Sequence, residues 1–283
     1  MKKTRFYPLS LATVLVFSMG LPSADLRAQS ISLRGKSGNW VSGEFFRPSY
    51  QSPGTLKLSG WILMLGVKAN ISERVALLAE LPYANGKFDV PSNFLPNDRS
   101  QAAIINPYIG LEFLSRRQKT SVELGVRLPV ADEGKGLAAQ AGILSDFDRF
   151  DAFVPNILTI NGLVNVNSVS PGGFAFRLRS GPNFWIVTDS NNGSGDDVEL
   201  LLKYAGELGY DTQQLSLSAG ISGLLIATES DLDLGERTSH QFIAAATVGL
   251  GNVRPGIQIR LPLDEDTGVD YVLGANVAIR LGK

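Results

Sequence analysis

The chain has one histidine and no cysteine in 283 residues, so the side chains that most often act as nucleophiles, bases and metal ligands are almost missing. A hydrolase that activates serine needs a base within hydrogen-bond reach, and His240 is the only imidazole. Its neighbour Ser239 points to the opposite face of a strand, while Thr238 and Phe242 lie two positions away on its own face. No serine shares that face nearby, which makes His240 a surface histidine at a loop edge. Zinc sites draw on several cysteine or histidine ligands, which this composition excludes. Asp231 with Asp233, and Asp264 with Asp266, could hold calcium weakly, but solvated loop charge is the simpler account. No glycine loop carries a Walker-type lysine. The expectation is a protein that is not an enzyme and takes no cofactor and no metal.

The ionic residues that remain have a regular spacing. From Thr120 to Val130, Val122, Leu124, Val126, Leu128 and Val130 alternate with Ser121, Glu123, Gly125 and Arg127, the period of a strand with one apolar face. The last such segment sets Val269, Tyr271, Leu273, Ala275, Val277, Ile279 and Leu281 against Asp270, Gly274, Asn276 and Arg280. The same pattern runs through Leu158 to Asn167, Val198 to Tyr210, Leu215 to Ala227, Phe242 to Leu250 and Val253 to Leu263, and Phe174 to Val187 is added to them as a further strand. Trp40 to Tyr50, Leu56 to Ile71, Arg74 to Tyr83 and Ile104 to Leu114 complete the set; in the second the apolar face switches near Gly60, which predicts a bulge. Each segment is about ten residues long, as a tilted strand crossing a bilayer requires, and about twelve of them make an even-stranded antiparallel barrel.

In a closed transmembrane barrel the apolar face meets lipid and the polar face lines the lumen. That parity makes Glu80, Glu112, Glu123, Arg127, Arg177, Arg179, Lys203, Arg254, Arg260 and Arg280 the candidate lumen-lining residues, with Lys68, Glu199, Glu207, Gln258 and Asn276 beside them. Buried charge is costly unless paired or wetted, so most of these are expected as structural ion pairs rather than solute contacts. Glu80-Leu81-Pro82, Arg127-Leu128-Pro129 and Arg260-Leu261-Pro262 each place proline two residues after an inward charge. Proline cannot donate to a ladder, so each is expected to end a strand; a ring of charges below the barrel mouth is the sharper alternative.

The connections sort by length. Val90 to Gln101, Asp132 to Ala152, Thr188 to Asp197 and Thr228 to Ser239 all follow odd-numbered strands, whereas the turns around Ser72-Glu73, Arg116-Arg117, Asp211-Thr212 and Gly251-Asn252 are tight. Outer-membrane barrels show this asymmetry, with short periplasmic turns and longer extracellular loops. The longest connection has Leu137, Ala141, Leu144 and Phe147 among polar residues. Over Gly136 to Phe150 a short helix is plausible in a surface loop, with a lid or an inward constriction as alternatives.

Lys2, Lys3 and Arg5, an apolar run from Leu9 to Leu21 and small residues up to Ala28 have the build of a cleaved export signal over residues 1–28, which leaves 29–283 as one barrel. Its removal takes the formal charge from −1 to about −4, so nucleic acid is not an expected partner. No later apolar run is long enough for a spanning helix.

Gly66 to Tyr83, GVKANISERVALLAELPY, and Asn106 to Ala131, NPYIGLEFLSRRQKTSVELGVRLPVA, resemble the outer-membrane proteins of the phenol-degradation meta-pathway family, with a fainter echo in IQIRLPLDEDTG. The resemblance covers about a third of the chain and implies a barrel that passes small, often aromatic, compounds; it brings no catalytic residues. One departure is Leu281-Gly282-Lys283, where outer-membrane barrels usually end on an aromatic residue. The expected function is an outer-membrane channel or uptake barrel for small, apolar or aromatic molecules, partnered by outer-membrane lipid, its solute and the barrel-assembly machinery. A non-conducting scaffold or surface-binding barrel is the alternative, and a soluble secreted sandwich the second.

Overall fold

The computed structural model of the protein describes residues 38–51, 57–89, 99–188, 198–228, 233–264 and 267–282; the expected export signal over 1–28 lies outside them. The strands are β1 (Trp40–Tyr50), β2 (Lys57–Asn70), β3 (Val75–Asp89), β4 (Arg99–Ile104), β5 (Tyr108–Leu114), β6 (Thr120–Arg127) and β7 (Ile157–Val169). Then come β8 (Phe174–Val187), β9 (Val198–Asp211), β10 (Leu215–Ile226), β11 (Thr238–Val248), β12 (Val253–Pro262) and β13 (Val269–Arg280). Neighbours pair antiparallel in sequence order. Because β1 pairs with both β2 and β13, the sheet closes on itself. The result is a closed antiparallel barrel of twelve staves with one extra strand, and no helix among the described residues is long and apolar enough to cross a membrane.

The extra strand explains one departure from the sequence pattern. β3 runs to Asp89, and along its far edge it pairs first with β5 (Val75 to Glu80) and then with β4 (Tyr83 to Phe88). Arg99 to Ile104, expected mostly as loop, is thus sheet. Pro82 does not end a strand: it sits at the seam between β4 and β5, where a residue without an N–H loses nothing, and its carbonyl accepts from the Ile105 N–H at 3.0 Å. Pro129 follows β6 and Pro262 closes β12, as expected.

Side chains alternate between the two faces as the period-two pattern requires. On β6, Leu124 is 54% exposed and its neighbour Glu123 is fully buried. The exposed set is apolar all round the barrel, including Leu65, Ile109, Val164, Leu208, Ile221, Ile257 and Leu273, which is the inverse of a water-soluble sandwich. Phe45, Trp61 and Tyr83 form an aromatic row on this outer wall, with ring centroids 5.7 and 5.4 Å apart, the kind of girdle found where a barrel meets lipid headgroups.

Two expected registers are corrected. The β2–β3 pairing is unbroken from Lys57–Asp89 to Asn70–Ala76, so there is no bulge at Gly60. The apolar face changes there because Ile62 and Met64 point into the barrel and pack in an interior apolar cluster. At the start of β13 a register shift between Ser49 and Tyr50 turns Val269 inward to the same cluster, although its parity placed it with the lipid-facing residues.

Candidate functional site

The segment after β6, expected at the surface, enters the barrel. A 3-10 turn (Glu133–Lys135), capped by Asp132 accepting from the Gly134 N–H at 2.8 Å, leads into α1 (Gly136–Ser145) and a 3-10 stretch, Phe147–Ala152. Leu137, Ala138, Ala139, Gln140 and Ala141 favour a helix, but α1 exposes one polar side chain, Gln140, while Ala138, Ala139, Ala141, Gly142 and Ser145 are all buried. Such a helix belongs in an enclosed site. Its small residues let it ride on the wall, and at Gly86 of β3 an added Cβ would lie 2.0 Å from the Leu137 carbonyl oxygen. Phe153 and Ala138 join Phe46, Ile62, Met64, Ala84 and Val272 in the apolar cluster around the helix.

Residues 146–151 then form a strap across the lumen. At one end, Asp146 accepts from Arg260 Nη1 at 2.5 Å and from Arg149 Nε at 2.8 Å. Arg149 in turn grips Glu44 of β1 through both terminal nitrogens, at 3.2 and 3.0 Å, a bidentate pair of the stronger kind. At the other end, Asp151 meets Lys203 Nζ at 2.9 Å, Asn183 Nδ2 at 3.4 Å and Arg127 Nε at 3.5 Å. The strap therefore ties β1 and β12 to β6, β8 and β9, on the far side of the barrel.

Burial disfavours ionisation of both aspartates, but for Asp146 the guanidinium groups of Arg149 and Arg260 outweigh it, and for Asp151 the Lys203 ammonium and Arg127 guanidinium do. Both carboxyls are held below their ordinary range. Asn106 fixes the segment's two ends: its Oδ1 accepts from the Ala131 N–H at 2.8 Å, and its Nδ2 donates to the carbonyls of Asp151 and Val154 at 3.3 and 2.7 Å.

The ten candidate lumen residues fall into two groups. Glu80, Arg127, Lys203 and Arg260 meet the strap, with Arg127 Nη2 also donating to Glu80 Oε2 at 2.8 Å. The charges of the three proline triplets thus converge on one docked segment rather than ringing an open mouth. Towards the short-turn rim, Glu112 accepts from Lys68 Nζ and from Ser121 Oγ, each at 2.6 Å, and Glu123 accepts from Tyr108 Oη at 2.5 Å with Arg179 3.8 Å away. Arg177 bridges Glu207 at 3.3 Å and Asp211 at 3.0 Å, with Arg254 3.8 Å from Asp211. Arg280 is half-buried at that rim, in a recess with Asn39, Asn70 and Asn252. Between strap and wall a cavity of about 50 Å³, lined by Ser42, Glu44, Lys68, Glu80, Arg149 and Arg260, has room for only a few waters.

Sequence reasoning missed Asn106, Asp146, Arg149 and Asp151. The four charges and two phenylalanines packed into Asp146-Phe147-Asp148-Arg149-Phe150-Asp151 are the signal that could have found the strap, since a solvated loop gains nothing from two aromatic rings among its charges. It also left His240 without partners. The structure gives it two on the outer wall: Nδ1 lies 3.1 Å from Asp264 Oδ1 and Nε2 lies 2.7 Å from Tyr204 Oη. Gly223 lies between the tyrosine and the histidine, where a Cβ would come within 2.7 Å of that hydroxyl.

A closed sheet, apolar outside and ionic inside, with long connections at one rim and tight turns at the other, has the fold of an outer-membrane β-barrel. Solved structures agree at that level. An outer-membrane channel from Pseudomonas putida F1 superposes with a TM-score of 0.60 at 13% identity, over 93% of this chain and 100% of that one. The translocator domain of the autotransporter NalP from Neisseria meningitidis gives 0.51 at 12% identity, over 88% and 90%. LpxR from Salmonella typhimurium gives 0.50 at 12% identity, over 86% and 100%. No family model matches the chain, and no curated protein matches it by sequence.

Proposed function

We propose that the protein is an outer-membrane channel or uptake barrel for small apolar or aromatic molecules, exported by a signal over residues 1–28, inserted by the barrel-assembly machinery and closed in this state by its own strap. The observation that carries this reading is the strap itself. A scaffold could fill its lumen with wall side chains alone, whereas here a connection between strands crosses the lumen and is held there by ion pairs. Next to it, Trp185, Leu201 and Leu224, with Phe150, Val154 and Ile157 packed against them, make an apolar lining suited to an apolar solute. The fold likeness to a channel supports the reading without naming a solute.

The test is conductance in planar bilayers and liposome swelling for the wild type and a variant lacking residues 136–150. The wild type should leak little and the deletion much more. If both are equally tight while still showing heat-modifiable gel migration, the second reading stands: a non-conducting barrel, which the buried ion pairs around Glu112 and Asp211 favour.

A further inference from the structure

Phe150 and Asp151 occupy a patch of wall that has the composition of a binding site. One end is cationic: Lys203 Nζ and Arg127 Nε lie 2.9 and 3.5 Å from the Asp151 carboxylate, with the Asn183 amide donating at 3.4 Å. The other end is aromatic: Phe150 lies against Trp185 with ring centroids 4.7 Å apart, next to Leu201 and Leu224. Arg127 pairs with Thr159, Thr159 with Trp185, Asn183 with Leu201 and Lys203 with Leu224, so the patch is one contiguous piece of five neighbouring strands. Within it Trp185 Nε1 and Thr159 Oγ1 are buried and make no hydrogen bond, leaving two polar atoms that the strap does not use.

From this we infer that the patch is a binding site for small carboxylic acids with a planar apolar body, and that Phe150-Asp151 is a built-in occupant of it. The acid's carboxylate would take the place of Asp151 and its ring the place of Phe150. The charge on the wall selects the class. If Asp151 leaves, Arg127 keeps Glu80 but Lys203 stays on the wall without its carboxylate, and a buried charge without its partner is strongly unfavourable. A neutral solute cannot restore that balance; a carboxylate can. The inference deepens the channel reading by naming the solute class, and it is tested by binding, which does not need conduction.

The full chain in detergent micelles is titrated calorimetrically with benzoate, with benzamide as the neutral probe of the same shape. Benzoate should bind and benzamide should not. Asp151→Asn, which keeps the wall intact and weakens the internal competitor, should tighten benzoate about tenfold, because the competent site is populated more often. Lys203→Gln should weaken it by a similar factor, in a barrel whose heat-modifiable migration is retained. Equal uptake of the two probes, or an Asp151→Asn protein with unchanged or weaker benzoate affinity, overturns the proposal even if Lys203→Gln fails to fold. A deletion of 136–150 that conducts while the wild type ignores benzoate leaves the channel and removes the site. Benzoate binding to a barrel that never conducts does the reverse.

Discussion

Arg260 and Asp146 lie 114 residues apart in the chain and meet with Nη1 and Oδ1 at 2.5 Å, both side chains buried. The contact joins a wall strand to a segment that the alternation of the strands does not account for. It is the clearest sign that the inward position of the strap is specified by side chains rather than by loop length.

Replacing Asp146 with alanine strips Arg260 and Arg149 of their shared carboxylate. Breaking a buried pair from one side costs about 3–5 kcal/mol, enough to undock the strap while the barrel stays closed. Limited proteolysis should then cut between α1 and β7 at least tenfold faster than in the wild type, with unchanged heat-modifiable migration. Equal protease resistance would show that the apolar cluster alone holds the segment.

The strap should respond to acid in one direction only. Asp146 and Asp151 have carboxyls depressed below the ordinary value near 3.8, so their stabilisation is complete above the ordinary value and is lost as pH falls through the depressed ones. Conductance and proteolysis should be flat from pH 7 to about pH 5 and rise only below about pH 4. A release centred between pH 5 and 7 would show that some other group controls docking.

Gly86→Val tests the helix independently of charge. Valine suits a strand, but its Cβ would enter the space of the Leu137 carbonyl, 2.0 Å away. The expected result is a folded barrel with α1 displaced, seen as faster amide exchange over residues 136–145 and no loss of exchange protection in β3.

Leu124 tests which medium the outer face meets. In a bilayer Leu124→Arg should cost about 2–4 kcal/mol in urea titrations of vesicle-inserted protein, whereas Glu73→Arg, in an exposed turn, should cost almost nothing. Similar values for the two would mean that this wall does not face hydrocarbon.

Most of the wall was legible in the sequence because a strand with one apolar face writes its orientation at every second residue. Leu124 and Glu123 could be assigned to opposite faces without knowing what either touched. Ile62, Met64 and Val269 broke the pattern because they face neither lipid nor water but another piece of the protein, and period-two alternation cannot report a third environment. The strap was illegible for the complementary reason. Ala138, Ala139 and Gly142 are too small to declare a buried face, and the wall partners of Asp146, Arg149 and Asp151 lie from 24 residues away, at Arg127, to 114, at Arg260. Only the crowding of four charges with two phenylalanines in residues 146–151 hinted that something must answer them.

The strap also touches both ends of the sheet. Arg149 holds Glu44 on the first strand, and Asp146 holds Arg260 on the last but one; the junction of β1 with β13 runs between those two anchors. The segment that fills the lumen is therefore also a staple across the line where the cylinder is sewn shut. A nascent chain with its middle already folded inward would carry a template for bringing its two terminal hairpins together, and its wall and its stopper would be completed in a single event.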